Sequence, residues 1–157
     1  MPPVRRLIGP LALTLAAASA AQAYTLNDWT GAAGNNLWGD PANWTQGVPA
    51  ADHGVTIANA AELVDLAGQR WSADNVVLNS TQLRLVNGTL VTRFLFSNAT
   101  SATDAATITA SLTSDAPQLT VGGPTGYYDK PLRIEGPIVG DNFALSVGNT
   151  VLAGANT

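Results

Sequence analysis

Short alternating segments separated by bends constrain the fold of this chain more than any other feature. From Val55 onward, apolar and polar residues alternate over runs of about three residues, with Gly, Asn, Asp and Ser between the runs. Alternation places every second side chain on one face of a strand, so each run can bury one side against a core. The runs occupy residues 55–57, 76–78, 83–85, 94–96, 119–121, 132–134 and 145–147.

Two all-β architectures accommodate strands this short. In a parallel β-helix, about three short strands and their bends form one coil, and stacked coils align their inward side chains in apolar ladders. In an antiparallel β-sandwich, neighbouring strands are joined by hairpins, which Asn-Gly pairs often mark. Asn87-Gly88 is the one tight hairpin signal, and the other bends are longer and irregular. We therefore predict an all-β parallel β-helix, with the antiparallel sandwich as the alternative.

A segment rich in tryptophan and glycine precedes the strands. Trp29, Trp38 and Trp44 lie within residues 24–54, among Gly, Asn, Asp and Pro residues that allow only very short strands. Because each indole buries a large apolar area, we predict that these residues form a cap on the N-terminal end of the solenoid. The alternative is that the three rings are exposed and stack on sugars as a glycan-binding platform.

The first residues have the pattern of an export signal. Two arginines, Arg5 and Arg6, are followed by an apolar run over residues 7–18 and a small-residue site that ends at Ala23. A membrane anchor is the alternative, but the run is shorter than the roughly 20 residues that cross a bilayer. We predict a signal peptide over residues 1–23 with cleavage after Ala23. The mature chain would then be exported to the cell surface, the outer membrane or the medium, without a membrane span.

Charge and cysteine content narrow the function further. The chain carries 11 acidic and 7 basic residues, and removal of residues 1–23 would lower the formal charge from −4 to −6. Nucleic-acid binding needs a basic patch, and here the basic residues stand apart, so we exclude it. Cysteine is absent, so the fold must rely on burial and backbone hydrogen bonds. Charged residues make up 11%, and Thr, Ser, Asn and Gly fill the polar positions, as suits β surfaces.

Residue patterns for catalysis or metal binding are missing from the sequence. The single histidine, His53, follows Asp52, and adjacent side chains on an extended backbone point to opposite faces, which does not suit a catalytic triad. No Gly-x-Ser-x-Gly elbow and no Asp-x-Asp-x-Asp calcium loop occurs. We predict no catalytic residue, no metal and no cofactor.

A carbohydrate-active module is the alternative function. Asp129 and Glu135 flank the run at 132–134, with Tyr127 and Tyr128 close by in sequence. Two carboxyl groups about 5 to 9.5 Å apart can hydrolyse a glycosidic bond. Binding or degradation of a polysaccharide, through these residues or through the tryptophans, therefore stays open.

Several short motifs open the chain after residue 23, namely Trp29-Thr30-Gly31, Asn43-Trp44, Gly47-Val48-Pro49, Asp52 and Val55-Thr56-Ile57. They resemble the start of a known family of exported bacterial proteins, those built from autotransporter-associated β-strand repeats. Residues 152–157 are similar to the start of one such repeat, although the usual Tyr-Thr-Gly-Gly continuation and a C-terminal membrane barrel are not in this sequence. The resemblance implies a right-handed parallel β-helix passenger that is displayed at the cell surface or released.

Together these patterns predict a non-enzymatic exported protein that serves adhesion, display or spacing. Residues 55–157 would form the solenoid coils. Because a strand-like run continues to Thr157 without a capping helix or a charged tail, we expect further coils in a longer chain. The expected partners are a surface glycan or a host or cell-surface protein, together with those further coils.

Overall fold

The computed structural model describes residues 24–58, 61–80, 82–98, 105–122, 131–140, 143–148 and 150–153. The predicted signal peptide over 1–23 lies outside these residues. Among the described residues, no helix has the length and apolar character needed to cross a membrane. One 3-10 turn spans Pro41–Asn43, and the strands are β1 Thr25–Asp28, β2 His53–Ile57, β3 Leu63–Asp65, β4 Arg70–Ser72, β5 Asn75–Leu78, β6 Arg84–Val86, β7 Thr89–Val91, β8 Phe94–Ser97, β9 Ala106–Ile108, β10 Ser111–Thr113, β11 Gln118–Val121, β12 Leu132–Ile134, β13 Ala144–Val147 and β14 Thr150–Leu152.

The strands form three parallel sheets that share one core. Their orders are β1-β2-β5-β8-β11-β13 in the first sheet, β4-β7-β10 in the second and β3-β6-β9-β12-β14 in the third. From β2 to β10, successive strands along the chain therefore join the first, third and second sheets in turn, and three strands make one coil. Every pairing between these strands is parallel. The predicted parallel β-helix is confirmed, and the antiparallel sandwich is wrong. The right-handed sense of the coil stays a prediction.

Inward side chains of successive coils stand in register. In the first sheet Val55 pairs with Val76, Val76 with Leu95, and Leu95 with Val121, all of them buried. These steps correspond to coils of 21, 19 and 26 residues. The second sheet stacks Trp71, Leu90 and Leu112, and the third stacks Val64, Leu85, Ile108 and Ile134. Each fully buried aliphatic side chain contributes about 1.5–3 kcal/mol, so the ladders supply much of the stability.

The tryptophans pack together as a cap. The rings of Trp29 and Trp44 meet edge to face with centroids 4.9 Å apart, and those of Trp38 and Trp44 do so at 4.8 Å. Trp29, Trp38 and Trp44 are 7%, 0% and 4% exposed. The indole N–H of Trp44 donates to the carbonyl oxygen of Trp38 at 2.7 Å. A buried aromatic cluster of this kind closes one end of the core.

Hydrogen bonds join the cap to the first coil and to β1. The N–H of Trp38 donates to the carbonyl oxygen of Asp65 at 2.9 Å, and the N–H of Asp65 donates to that of Asn36 at 2.8 Å. Asn27 of β1 is buried, and its side chain donates to the carbonyl oxygen of Gly47 and accepts from the N–H of Gln46. The Asn27 side chain and the backbone of Asp28, which also bonds Thr45, therefore attach β1 to the cap's own chain. Strand β2 begins at His53, two residues before the expected start of the coils, because β1 already pairs with it there.

The opposite end of the stack exposes its inward side chains. Leu145 and Val147 of β13 stand in register with the buried Leu119 and Val121, yet they are 40% and 43% exposed. Leu152 of β14 continues the third ladder and is also exposed. Among the described residues, nothing covers this last rung, which leaves an apolar surface with strand geometry.

Trp38 and Trp44 offer a matched test of the cap. The indole N–H of Trp38 is buried without a partner among the described residues, whereas that of Trp44 bonds a buried carbonyl. Both Trp→Phe substitutions leave a cavity, but only Trp44→Phe also leaves the carbonyl oxygen of Trp38 unpaired. We expect Trp44→Phe to lower the free energy of unfolding by about 1–3 kcal/mol more than Trp38→Phe, measured by urea titration. Equal losses would contradict this account of the cap.

Gly136 and Gly54 can be used to test how closely the coils pack. Neither has a positive φ, so an alanine at either position is limited only by the space around its Cβ. A Cβ on Gly136 would clash with the carbonyl oxygen of Ala110, a backbone atom of the preceding coil. A Cβ on Gly54 would meet only the end of the Leu26 side chain, at 3.5 Å. We expect Gly136→Ala to destabilise the chain by about 1–3 kcal/mol, as overpacking does, and Gly54→Ala to be nearly neutral in thermal unfolding. A neutral Gly136→Ala would show that the coils are not packed this closely.

Candidate binding cleft

A cleft of about 560 Å³ crosses three coils at the corner between the first and second sheets. Its wall is formed by the bends at 72–74, 91–93 and 114–116, which join β4 to β5, β7 to β8 and β10 to β11. Tyr24, Ala51 and Asp52 complete it at the N-terminal end. We call this feature the axial cleft, because it runs along the direction in which the coils stack.

Parallel register is the reason that these bends meet. Ser72 pairs with Val91, and Val91 with Thr113, so the residues that follow stand one above another at each corner. The N–H of Thr92 donates to the carbonyl oxygen of Thr113 at 3.0 Å, which holds two of the bends together. Neighbouring strands lie about 4.8 Å apart, so side chains distant in sequence are brought into contact along the cleft.

Arg93, Asp74 and Tyr24 form the polar centre of the axial cleft. Arg93 Nη2 donates to Asp74 Oδ2 at 2.8 Å and to Tyr24 Oη at 2.6 Å, and its Nε lies 2.6 Å from Asp74 Oδ1. The guanidinium carbon also lies 5.1 Å from the centroid of the Phe94 ring. These contacts fix the guanidinium and neutralise its charge, so Arg93 positions Tyr24 rather than presenting a free cation.

The same contacts set the protonation of the cluster. Hydrogen bonding to the Asp74 carboxylate is the main cause that raises the pKa of Tyr24 above its ordinary 10.0; partial burial and the charge of Asp74 act in the same direction, and Arg93 opposes them. Hydrogen bonding to Asp74 also raises the pKa of Arg93. Tyr24 therefore stays a neutral phenol and Arg93 stays charged throughout the neutral range.

Two further carboxylates border the axial cleft. Asp52 is largely exposed, and its Oδ1 lies 3.9 Å from His53 Nε2, too far for a hydrogen bond. Asp115 is also exposed and accepts from Arg70 Nη2 at 2.9 Å. Asp74 and Asp115 are each paired with an arginine, so the excess negative charge of the lining is that of Asp52. Among the described residues, no group of three acids or histidines converges as a metal site.

The residues proposed from sequence do not meet in this cleft. The rings of Trp29, Trp38 and Trp44 are buried in the cap, so they present no open face on which a sugar could stack. That geometry corrects the hypothesis of a tryptophan platform. Glu135 lies after β12, and its carboxylate pairs with Arg133 Nε at 2.6 Å. Its suggested partners Tyr127, Tyr128 and Asp129 lie outside the described residues.

Sequence reasoning missed Tyr24, Asp74 and Arg93 because no local motif joins them. Their meeting depends on the length of one coil, since Asp74 stands two residues before Val76 and Arg93 two residues before Leu95. If the sequence is aligned on the apolar residues of successive coils, Asp74 and Arg93 fall at equivalent positions. That equivalence is the signal from which their contact could have been predicted. Tyr24 reaches them from the position just before β1, a strand that has no apolar residue in the ladder and so is not included in such an alignment.

Comparison with protein-family models, with curated proteins and with solved structures gives no match for this chain. The molecule is a parallel β-helix with an aromatic cap and an axial cleft.

Tyr24 can be titrated to test the geometry of the cluster. Since its pKa is raised, its contribution to stability is complete below pH 10.0 and is lost as the pH rises through the higher folded value. We expect ultraviolet titration of the folded chain to show one of the three tyrosines ionising above pH 10.0. That transition should disappear in Tyr24→Phe. If the transition that disappears in Tyr24→Phe has its midpoint at or below pH 10.0, the contact with Asp74 is not formed.

Proposed function

We propose that the chain is a non-enzymatic exported protein whose β-helix acts as a surface scaffold for adhesion, display or spacing. The observation that supports this most is the difference between its two ends. At the N-terminal end the buried tryptophans pack in the same core as the ladders, whereas at the other end of the described residues Leu145, Val147 and Leu152 are exposed in register with the buried ladders. An exposed rung of this kind can receive a further coil.

The occupant that we propose for the exposed rung is a further coil of the full-length chain. A parallel strand with apolar side chains at two alternating positions would bury Leu145 and Val147 and pair with the free edge of β13. Each added coil would lengthen the scaffold by about 4.8 Å. The length of the scaffold would then provide spacing and display, and ligands bound on its lateral faces would provide adhesion.

The pattern of residues 1–23 supports export, and the resemblance to autotransporter-associated repeat proteins favours delivery to the cell surface. The pairing of Asp74 with Arg93 supports a role without catalysis. Both carboxylate oxygens of Asp74 lie against the guanidinium of Arg93, so that guanidinium is fixed and is not free for a substrate. We propose a surface glycan or a cell-surface protein as the partner.

Export can be tested in a Gram-negative host that expresses the full chain with a C-terminal epitope tag. We expect N-terminal sequencing to find Tyr24 as the first residue of the processed chain, and external protease to remove the tag from intact cells. The double variant Arg5→Glu/Arg6→Glu is the control, because a signal peptide needs its positive start. Retention of an uncleaved chain in the cytoplasm would sink the proposal.

A further inference from the structure

The axial cleft has the size and the mixed lining of a ligand site. Its volume of about 560 Å³ falls within the roughly 300–1,000 Å³ of small-molecule sites. Ala51 and Ala116 supply apolar surface beside the polar side chains of Asp74 and Arg93. Three coils place its first and third bends about 10 Å apart, so an elongated ligand would fit along the axis.

The charges of the cleft select against anions. Asp74 neutralises Arg93 and Arg70 pairs with Asp115, so among the described residues Asp52 is the one carboxylate of the lining without an arginine partner, and the excess charge of the cleft is negative. The backbone is equally unsuited to oxyanions, because the N–H of Asp74 donates to the carbonyl oxygen of His53 and the N–H of Arg93 to that of Asp74. A ligand for this cleft must bring hydrogen-bond donors and no negative charge.

Tyr24 adds an aromatic surface at the N-terminal end. Its side chain is 48% exposed, while its hydroxyl is held by Arg93 at 2.6 Å. A ring anchored at its polar tip and open to solvent can stack on the apolar face of a sugar without losing much conformational freedom. Nearby, Asp52 and Asp115 offer carboxylate oxygens that accept from ligand hydroxyls.

We propose that the axial cleft binds a neutral oligosaccharide lying along the solenoid axis. Tyr24 stacks on one sugar ring, and Asp52 and Asp115 accept hydrogen bonds from sugar hydroxyls. This inference rests on the proposed function for the kind of partner, which it narrows to a neutral glycan and assigns to the axial cleft, and its test is separate from that of export.

A basic peptide would also bring donors, but the cleft favours a sugar. Extended peptides bind mainly by pairing their backbone with a free strand edge. At these bends the backbone groups of Asp74, Thr92 and Arg93 are paired with adjacent coils. The cleft therefore offers side chains and a ring, which suit hydroxyl-rich ligands better than a polypeptide backbone.

Affinity electrophoresis of the full chain provides the test. Native gels would contain xyloglucan, galactomannan, arabinogalactan or mixed-linkage β-glucan as neutral probes, and polygalacturonate as the anionic probe. We expect retardation by at least one neutral polymer and none by polygalacturonate. Tyr24→Ala should weaken binding about fivefold to tenfold, and Tyr24→Phe, which keeps the ring but loses the hydrogen bond from Arg93, should weaken it less.

Asp52→Ala and Glu62→Ala form the matched control pair. Both remove one exposed carboxylate, but only Asp52 lines the cleft, so only Asp52→Ala should weaken binding. Circular dichroism would verify that each variant folds. Lack of retardation by every neutral polymer would overturn the proposal, as would unchanged binding by Tyr24→Ala. Displacement of the bound polysaccharide by hexalysine with tighter affinity would assign the cleft to basic peptides. None of these results bears on export, which the processed N-terminus tests separately.

Discussion

In-register stacking of inward apolar side chains is the interaction on which the rest of this structure depends. Val55, Val76, Leu95 and Val121 form one such ladder, and each is held between a neighbour above and a neighbour below. A strand of three or four residues cannot bury enough surface to be stable alone. The stack supplies the missing contacts, because backbone pairing and side-chain burial are both made with the next coil. Each short strand is therefore ordered by its contacts with the neighbouring coils and not by its own residues alone.

Repetition also makes the two ends unlike any interior coil. An interior rung is covered on both sides, whereas an end rung exposes one row of backbone groups and one layer of side chains. At the N-terminal end, Asn27 binds backbone groups of the cap's own chain, and Trp29, Trp38 and Trp44 cover the core. Side chains of the same ladders remain exposed at β13. The physical need for a cover thus explains why three of the four tryptophans lie in one short segment.

Much of this architecture could be predicted from the sequence, since alternation and irregular bends distinguish stacked coils from hairpins. The Asn87-Gly88 pair was the signal for a hairpin, yet it joins β6 to β7, which belong to different sheets. Parallel stacking of neighbouring coils overrode that local turn preference. The cleft could not be predicted in the same way, because Asp74 and Arg93 meet only once the length of a coil is known. Glu135, chosen for its nearness in sequence to other polar groups, pairs locally with Arg133 instead.

The axial cleft follows from the same register that builds the core, but its chemistry is independent of the core. At each bend one residue is buried, namely Ala73, Thr92 or Ser114, and the next residue lines the cleft. Thr92 and Ser114 also fix their corners through side-chain bonds to backbone carbonyls. A change at Asp74, Arg93 or Asp115 would alter charge along the cleft without altering a ladder. A solenoid can therefore vary what it binds, coil by coil, while its stability is maintained by side chains on the opposite side of the same backbone.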